Sequence, residues 1–115
     1  MDNFKELLVW QKGMELTKSV YMLTRTFPQS EQFGLSSQLQ RAAVAIPSNI
    51  AEGWRRKSSK EYVQYLHIAF GSCAEVETQL LIVKAVYSET DVASLLTIVE
   101  ELQKMLHAMI KKIGS

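Results

Sequence analysis

Apolar residues recur along this chain at intervals of three and four, the spacing that lines up one face of an α-helix. Val9, Gly13, Leu16, Val20, Leu23 and Phe27 step in this way through the first segment, which Pro28 should end. Leu35, Leu39, Ala43, Ile46 and Ile50 form a second stripe, on a helix that starts near Ser36 or slightly before it and reaches Gly53. The third stripe is the most regular, with Tyr62, Leu66, Ala69, Cys73, Val76, Leu80, Val83 and Tyr87 alternating steps of four and three. A helix of that span is roughly 45 Å long at 1.5 Å per residue. Val92, Leu95, Val99, Leu102, Leu106, Met109 and Ile113 make the fourth.

Local signals agree with these stripes. Ser58 followed by Glu61 has the form of a capping box, hydroxyl to amide in one direction and carboxylate to amide in the other. Asp91, after "SET", is a good N-cap for the fourth helix. Apolar and polar residues nowhere alternate between hairpin turns, so strands are not expected. Four helices joined by short connections predict an all-α fold, an antiparallel up-down-up-down four-helix bundle forming a single domain over residues 1–115.

Two features disturb that simple pattern. Thirteen of the 22 residues from Val92 to Ile113 are apolar, whereas a helix burying one face needs about three in seven. Leu96, Ile98, Met105 and Ile110 fall off the stripe, as do Val63, Phe70 and Leu81 on the third helix. They point to a second buried surface and hence to self-association, or else to a broad core. The second disturbance is Pro47, which has no amide hydrogen and crowds the carbonyl of Ala43. The second helix is therefore expected to be kinked at Pro47, where the small Ala42, Ala43, Ala45 and Ser48 allow close approach.

Charge is balanced, with 13 Lys and Arg against 12 Asp and Glu for a net +1, so any electrostatic role must come from local clustering. The single cysteine, Cys73, excludes an intrachain disulfide and fits a reducing, cytoplasmic compartment. Asp2, Lys5, Glu6 and Lys12 interrupt the N-terminal segment, against a secretory leader. The apolar run "LLIVKAVY" is broken by Lys84 and is shorter than the roughly 20 residues of a membrane span.

The segments "LLVWQKGMELTKSVYMLTRTFP" and "FGLSSQLQRAAVAIPSNIAEGWRRKSSKEYVQYLHIAFGSCAEVETQL" resemble a family of small bacterial four-helix-bundle proteins encoded within intervening sequences of 23S ribosomal RNA genes. The resemblance runs from Leu8 to about Leu80, with "IPSNIAEG" its most specific part; the fourth helix is similar in pattern. The fold is shared with the accessory variability determinant of diversity-generating retroelements, a homopentameric barrel that binds nucleic acid and a reverse transcriptase. What the resemblance implies here is a homo-oligomer, a pentamer by that analogy, with RNA or another nucleic acid and a protein as possible partners.

Arg55, Arg56, Lys57 and Lys60 are the one concentration of like charge, with no acid between Gly53 and Lys60. Trp54 beside them has the face on which a base could stack. The cluster is a candidate nucleic-acid-binding site; the ordinary alternative is a solvated turn in which Trp54 covers the core. Arg41, Ala45, Ser48, Asn49 and Glu52 form a polar stripe on the second helix. It is a candidate subunit interface in which Arg41 pairs with Glu52 of another copy, and otherwise a solvated face.

Catalytic groupings are poor. His67 and His107 follow Gln64 and Lys104 where a di-iron bundle would place Glu. Glu75 and Glu77 point to different sides of a helix. No phosphate loop, nucleophile elbow or metal-ligand spacing is present, and Cys73 on the main stripe reads as a buried thiol. No enzyme, cofactor or metal is expected. The reading is a homo-oligomeric bundle binding nucleic acid through a basic rim, and the alternative is a protein-binding scaffold with no nucleic-acid role.

Overall fold

The computed structural model describes residues 3–114. Four α-helices follow one another: α1 (Leu8–Thr24), α2 (Leu35–Trp54), α3 (Ser59–Val86) and α4 (Ala93–Gly114). A 3-10 turn, Phe4–Glu6, precedes α1, and a second, Gln29–Glu31, lies between α1 and α2. The described residues contain no strand. α1 ends four residues before Pro28, and Phe27 packs on the core from the following loop.

The helices ring the core in chain order, α1 and α3 each beside α2 and α4, in a body 43 × 20 × 20 Å. Cross-helix neighbours run in opposite sequence order. Gly13 lies against Ile46 and Pro47 while Thr17 reaches Ala43. Phe70 meets His107 and Glu77 meets Gln103. The four apolar stripes supply the core: Leu16, Val20, Leu39, Ile46, Ile50, Leu66, Val76, Leu80, Leu102 and Leu106 are all fully buried. Each such leucine or isoleucine stabilises the fold by about 1.5–3 kcal/mol over leaving it in water.

Helix starts are fixed by short side chains. The Ser58 hydroxyl accepts from the Glu61 amide at 3.1 Å, one of the two bonds of a capping box. Asp91 accepts from the Ala93 amide at 3.0 Å and so caps α4. α3, of 28 residues, is long and apolar enough by length and composition to cross a membrane. Its main apolar stripe is instead packed into the bundle.

The surplus apolar residues occupy places that their number alone did not indicate. Leu96, Ile98, Met105, Ile110 and Phe70 are half-buried and pack against the core. On these positions the surplus widens the core of a single chain. Leu81 is exposed and Val63 half-buried. Besides Leu81, the large apolar side chains left in solvent are Leu8, Met14, Tyr21 and Met22 on α1, Val44 on α2, Ile68, Ile82 and Val86 on α3, and Phe33 in the α1–α2 loop.

Pro47 stands inside an uninterrupted α2. Lacking an N–H, it gives the Ala43 carbonyl no helical donor. The Thr17 hydroxyl lies 3.2 Å from that carbonyl and 2.8 Å from the Gly13 carbonyl of its own helix, sharing one proton between them. Gly13 brings the two helices close enough for this: a Cβ there would sit 3.4 Å from both Ile46 and Pro47. A threonine on α1 thus answers the backbone group that proline leaves open on α2.

Candidate nucleic-acid interface

The basic cluster sits where α2 passes into α3, and the turn is tight because Gly53 is buried against α3. A Cβ on Gly53 would come within 2.8 Å of Tyr65 Cβ and 2.9 Å of Tyr62 Cδ1, so only glycine allows this approach. Trp54, the last residue of α2, is half-buried and set edge-on to Tyr62, with ring centroids 6.4 Å apart. Burial of Tyr62 raises its hydroxyl pKa. Trp54 therefore covers the junction, leaving part of its surface outward.

The four cations of the cluster differ in what they do. Arg56 is held within the chain: its guanidinium donates to Glu52 at 2.5 Å and to the Tyr65 hydroxyl at 2.7 Å, and lies 4.9 Å over the Tyr65 ring. Tyr65 first, then Glu52, raise its pKa. Arg55 lies 5.4 Å over the ring of Phe4, so it ties the N-terminal turn to this end. Lys57 and Lys60 are exposed and take part in no ion pair among the described residues.

The fold adds cations that the sequence cluster did not include. A Cβ on Gly114 would lie 3.9 Å from Val63, which brings the last turn of α4, with Lys111 and Lys112, beside the start of α3. Phe4 under Arg55 brings Lys5 of the N-terminal turn to the same end. The signal for these was available in principle: helices of alternating direction put the end of α4 next to the start of α3.

The polar stripe of α2 is divided. Arg41 and Ser48 are exposed, Ala45 and Asn49 half-buried. The Asn49 side-chain amide donates to the Ala45 carbonyl at 2.7 Å, folded onto its own helix. Glu52 has its partner inside the chain in Arg56, so the expected pairing of Arg41 with Glu52 of another copy would compete with that bond. Arg41 instead lines a groove between α2 and α3 with Gln38, Ser72, Glu75 and Gln79.

His67 and His107 are exposed, and no group of three or more His, Cys, Asp or Glu side chains able to hold a metal occurs among the described residues. Burial, reinforced by Glu77, pushes the Cys73 thiol up to about 12. It is protonated and a weak nucleophile at neutral pH.

Against known proteins, the model of the family described as 23S rRNA-intervening sequence protein matches residues 5–108. A search of curated proteins gives no match. Among solved structures, the chain is similar to a protein of unknown function from the S23 ribosomal protein family of Bacteroides thetaiotaomicron VPI-5482. The two share 24% identity over 90% of this chain and 99% of the other, with a TM-score of 0.80, a likeness of fold.

Proposed function

This chain belongs to the 23S rRNA-intervening sequence protein family, and from that premise we propose that it is a non-enzymatic, homo-oligomeric bundle that binds RNA through its basic end. The observation that carries the reading is where Lys57 and Lys60 lie. Lys57 stands just before the N-cap of α3 and Lys60 in its first turn, beside Glu61, at the positive end of a helix dipole, where a cation costs about 0.3–1 kcal/mol. Neither has an ion-pair partner among the described residues to offset that cost. Residues that break a local rule without a local gain mark functional surfaces. A phosphate backbone is the ligand that makes such a cluster favourable, since each contact releases condensed counterions. Arg55, Lys112 and Lys5 extend the same end, and the exposed part of Trp54 offers a face to an unpaired base. In an oligomer the cluster repeats with each copy, which multiplies the phosphate contacts.

The test is fluorescence anisotropy with a structured and a single-stranded RNA over a salt series. Arg55→Ala, Lys57→Ala and Lys60→Ala combined should weaken binding and flatten the log–log salt slope by about 0.7–0.9 per lost contact. Arg56 is left in place because it holds the junction together. Wild-type protein that binds neither RNA at low salt overturns the reading, and a protein-binding scaffold takes its place.

A further inference from the structure

We infer that the groove between α2 and α3 is a binding site for a guanine base, carried either by a free nucleotide or by an unpaired position in RNA. The site is separate from the basic end, and it adds base reading to the phosphate binding proposed above.

The groove is walled by polar groups that the chain itself leaves unanswered. Arg41 lines it from α2, and Ser72, Glu75 and Gln79 line it from α3, where steps of three and four keep them on one face. Gln79 Oε1 is buried without a hydrogen-bond partner, the sole such side-chain atom among the described residues. Ser72 is 5% exposed, yet its hydroxyl joins no hydrogen bond among the described residues. On the same helix Thr78 turns its hydroxyl onto the Ala74 carbonyl at 2.8 Å, a bond one turn back that Ser72 does not make. Buried polar groups are as a rule paired, so two unanswered ones against one groove point to a partner the chain does not supply. The groove measures about 310 Å³, against the ~30 Å³ that one water occupies, and so takes a molecule rather than a single solvent.

Its two walls differ in kind. α3 presents acceptors, the Glu75 carboxylate and, one turn further on, Gln79 Oε1; α2 presents the donor fork of Arg41. Arg41 and Glu75 are exposed and stand in no ion pair, with each other or elsewhere, among the described residues. A ligand for both walls carries neighbouring donors on one edge and neighbouring acceptors on the next. Guanine has this arrangement, with N1–H and N2–H₂ on its Watson–Crick edge and N7 and O6 on its Hoogsteen edge. Arginine bidentate to O6 and N7 is the commonest specific contact to this base, and the α3 acceptors take the N1 and N2 protons. Adenine, cytosine and uracil lack two neighbouring donor groups, so each leaves an acceptor of α3 unmet. Ala42 and Ala45 also line the groove and, with only methyl groups, leave room for a planar ring. The charges of Arg41 and Glu75 cancel, which suits a neutral base.

The groove is within reach of the basic end. From Lys60 to Glu75 is fifteen residues of α3, roughly 22 Å, which at about 3.4 Å per nucleotide of a stacked strand is on the order of six or seven nucleotides. A single strand held at the basic end therefore reaches it within a short tract.

The test compares guanosine, inosine and adenosine 5′-monophosphates by NMR titration, so that the phosphate is constant and only the base changes. Inosine lacks the N2 amine and adenosine presents a donor where guanine has O6. Wild type should bind the guanosine nucleotide about tenfold more tightly than either. Glu75→Ala, at an exposed position, should stay helical by circular dichroism and bring the guanosine and inosine affinities together. Arg41→Ala should weaken both and keep their ratio, since both bases retain O6 and N7. In a second arm, uridine tracts carrying one guanine at each position in turn are compared with the same tracts carrying adenine. A guanine preference lost in Glu75→Ala supports the site in either arm: with the free nucleotide it assigns a nucleotide ligand, and with the tracts alone it assigns RNA. No preference in either arm, a preference that survives Glu75→Ala, or displacement of the nucleotide by free alanine, whose two charges would suffice, overturns it. A uridine tract that fails to bind at low salt removes the basic-end reading alone, because the nucleotide titration still measures the groove.

Discussion

At the end of the bundle where α2 passes into α3, Lys5, Arg55, Arg56, Lys57, Lys60, Lys111 and Lys112 gather against Glu6, Glu52 and Glu61. At the other end, where α1 passes into α2 and α3 into α4, the acids Glu31, Glu89 and Asp91 outnumber the cations Arg25 and Lys84. The acids of this second end are put to use inside the chain. Glu31 accepts from the Tyr87 hydroxyl at 2.5 Å and Asp91 caps α4, while Phe27 stacks on Tyr87 with centroids 6.1 Å apart. Two of the acids there, Glu31 and Asp91, close loops. At the basic end Arg56 does comparable work on Glu52 and Tyr65 and Arg55 lies over Phe4, while Lys57 and Lys60, one just before and one within the first turn of α3, take part in no ion pair among the described residues. Charge that serves the fold is found beside the group it satisfies; under the proposed function, Lys57 and Lys60 serve a ligand instead.

Removing the outward charge should give the largest effect. With Arg55, Lys57 and Lys60 all changed to alanine, loss of three phosphate contacts weakens RNA binding on the order of a hundredfold near physiological salt. Lys84→Ala at the opposite end should leave affinity and salt slope unchanged. Equal losses from both ends would erase the distinction.

Next in size is Gly53→Ala. Alanine is the better helix former by about 1 kcal/mol, yet its methyl meets Tyr62 and Tyr65, and overpacking of this kind costs about 1–3 kcal/mol. The melting temperature should fall, and RNA binding should weaken with it, because the α2–α3 junction carries the cluster. A more stable variant would show that the junction opens freely.

Thr17→Val acts midway between the ends. It leaves the Ala43 carbonyl beside Pro47 without its donor, a loss of about 1–3 kcal/mol where the carbonyl is buried. Chemical denaturation should register this loss with RNA affinity per folded molecule unchanged. Pairing Thr17→Val with Pro47→Ala should recover part of it, since alanine restores the helical N–H.

The smallest effect belongs to Tyr87→Phe at the acidic end, read as a lowered melting temperature with no change in RNA binding. Its hydrogen bond to Glu31 raises the Tyr87 pKa above the ordinary 10.0. The folded chain therefore holds this proton more tightly than the unfolded chain. The advantage is complete below pH 10.0 and is lost as pH rises through the raised value. The difference between wild type and variant should accordingly be present at neutral pH and shrink in alkali.

The four stripes, the caps at Ser58 and Asp91, the burial of Cys73 and the cluster after Gly53 were legible in the sequence, because each depends on residues within a few turns of one another. Helical periodicity decides which side of a helix is apolar before any partner is present. What covers the apolar positions beside a stripe depends on neighbouring helices. Leu96, Ile98, Met105 and Ile110 therefore read as a surplus and pack against the core, whereas Ile68 and Ile82 remain in solvent. Arg56 belonged to the cluster by position, and only the approach of α3 put the Tyr65 hydroxyl within its reach. Pro47 announced an open carbonyl at Ala43, but the hydroxyl that answers it is 26 residues away from that carbonyl in the chain. The same holds for Lys5, Lys111 and Lys112, which join the basic end only when the bundle closes. Local pattern fixes what each helix offers, and the packing of four helices decides which of those offers are taken up.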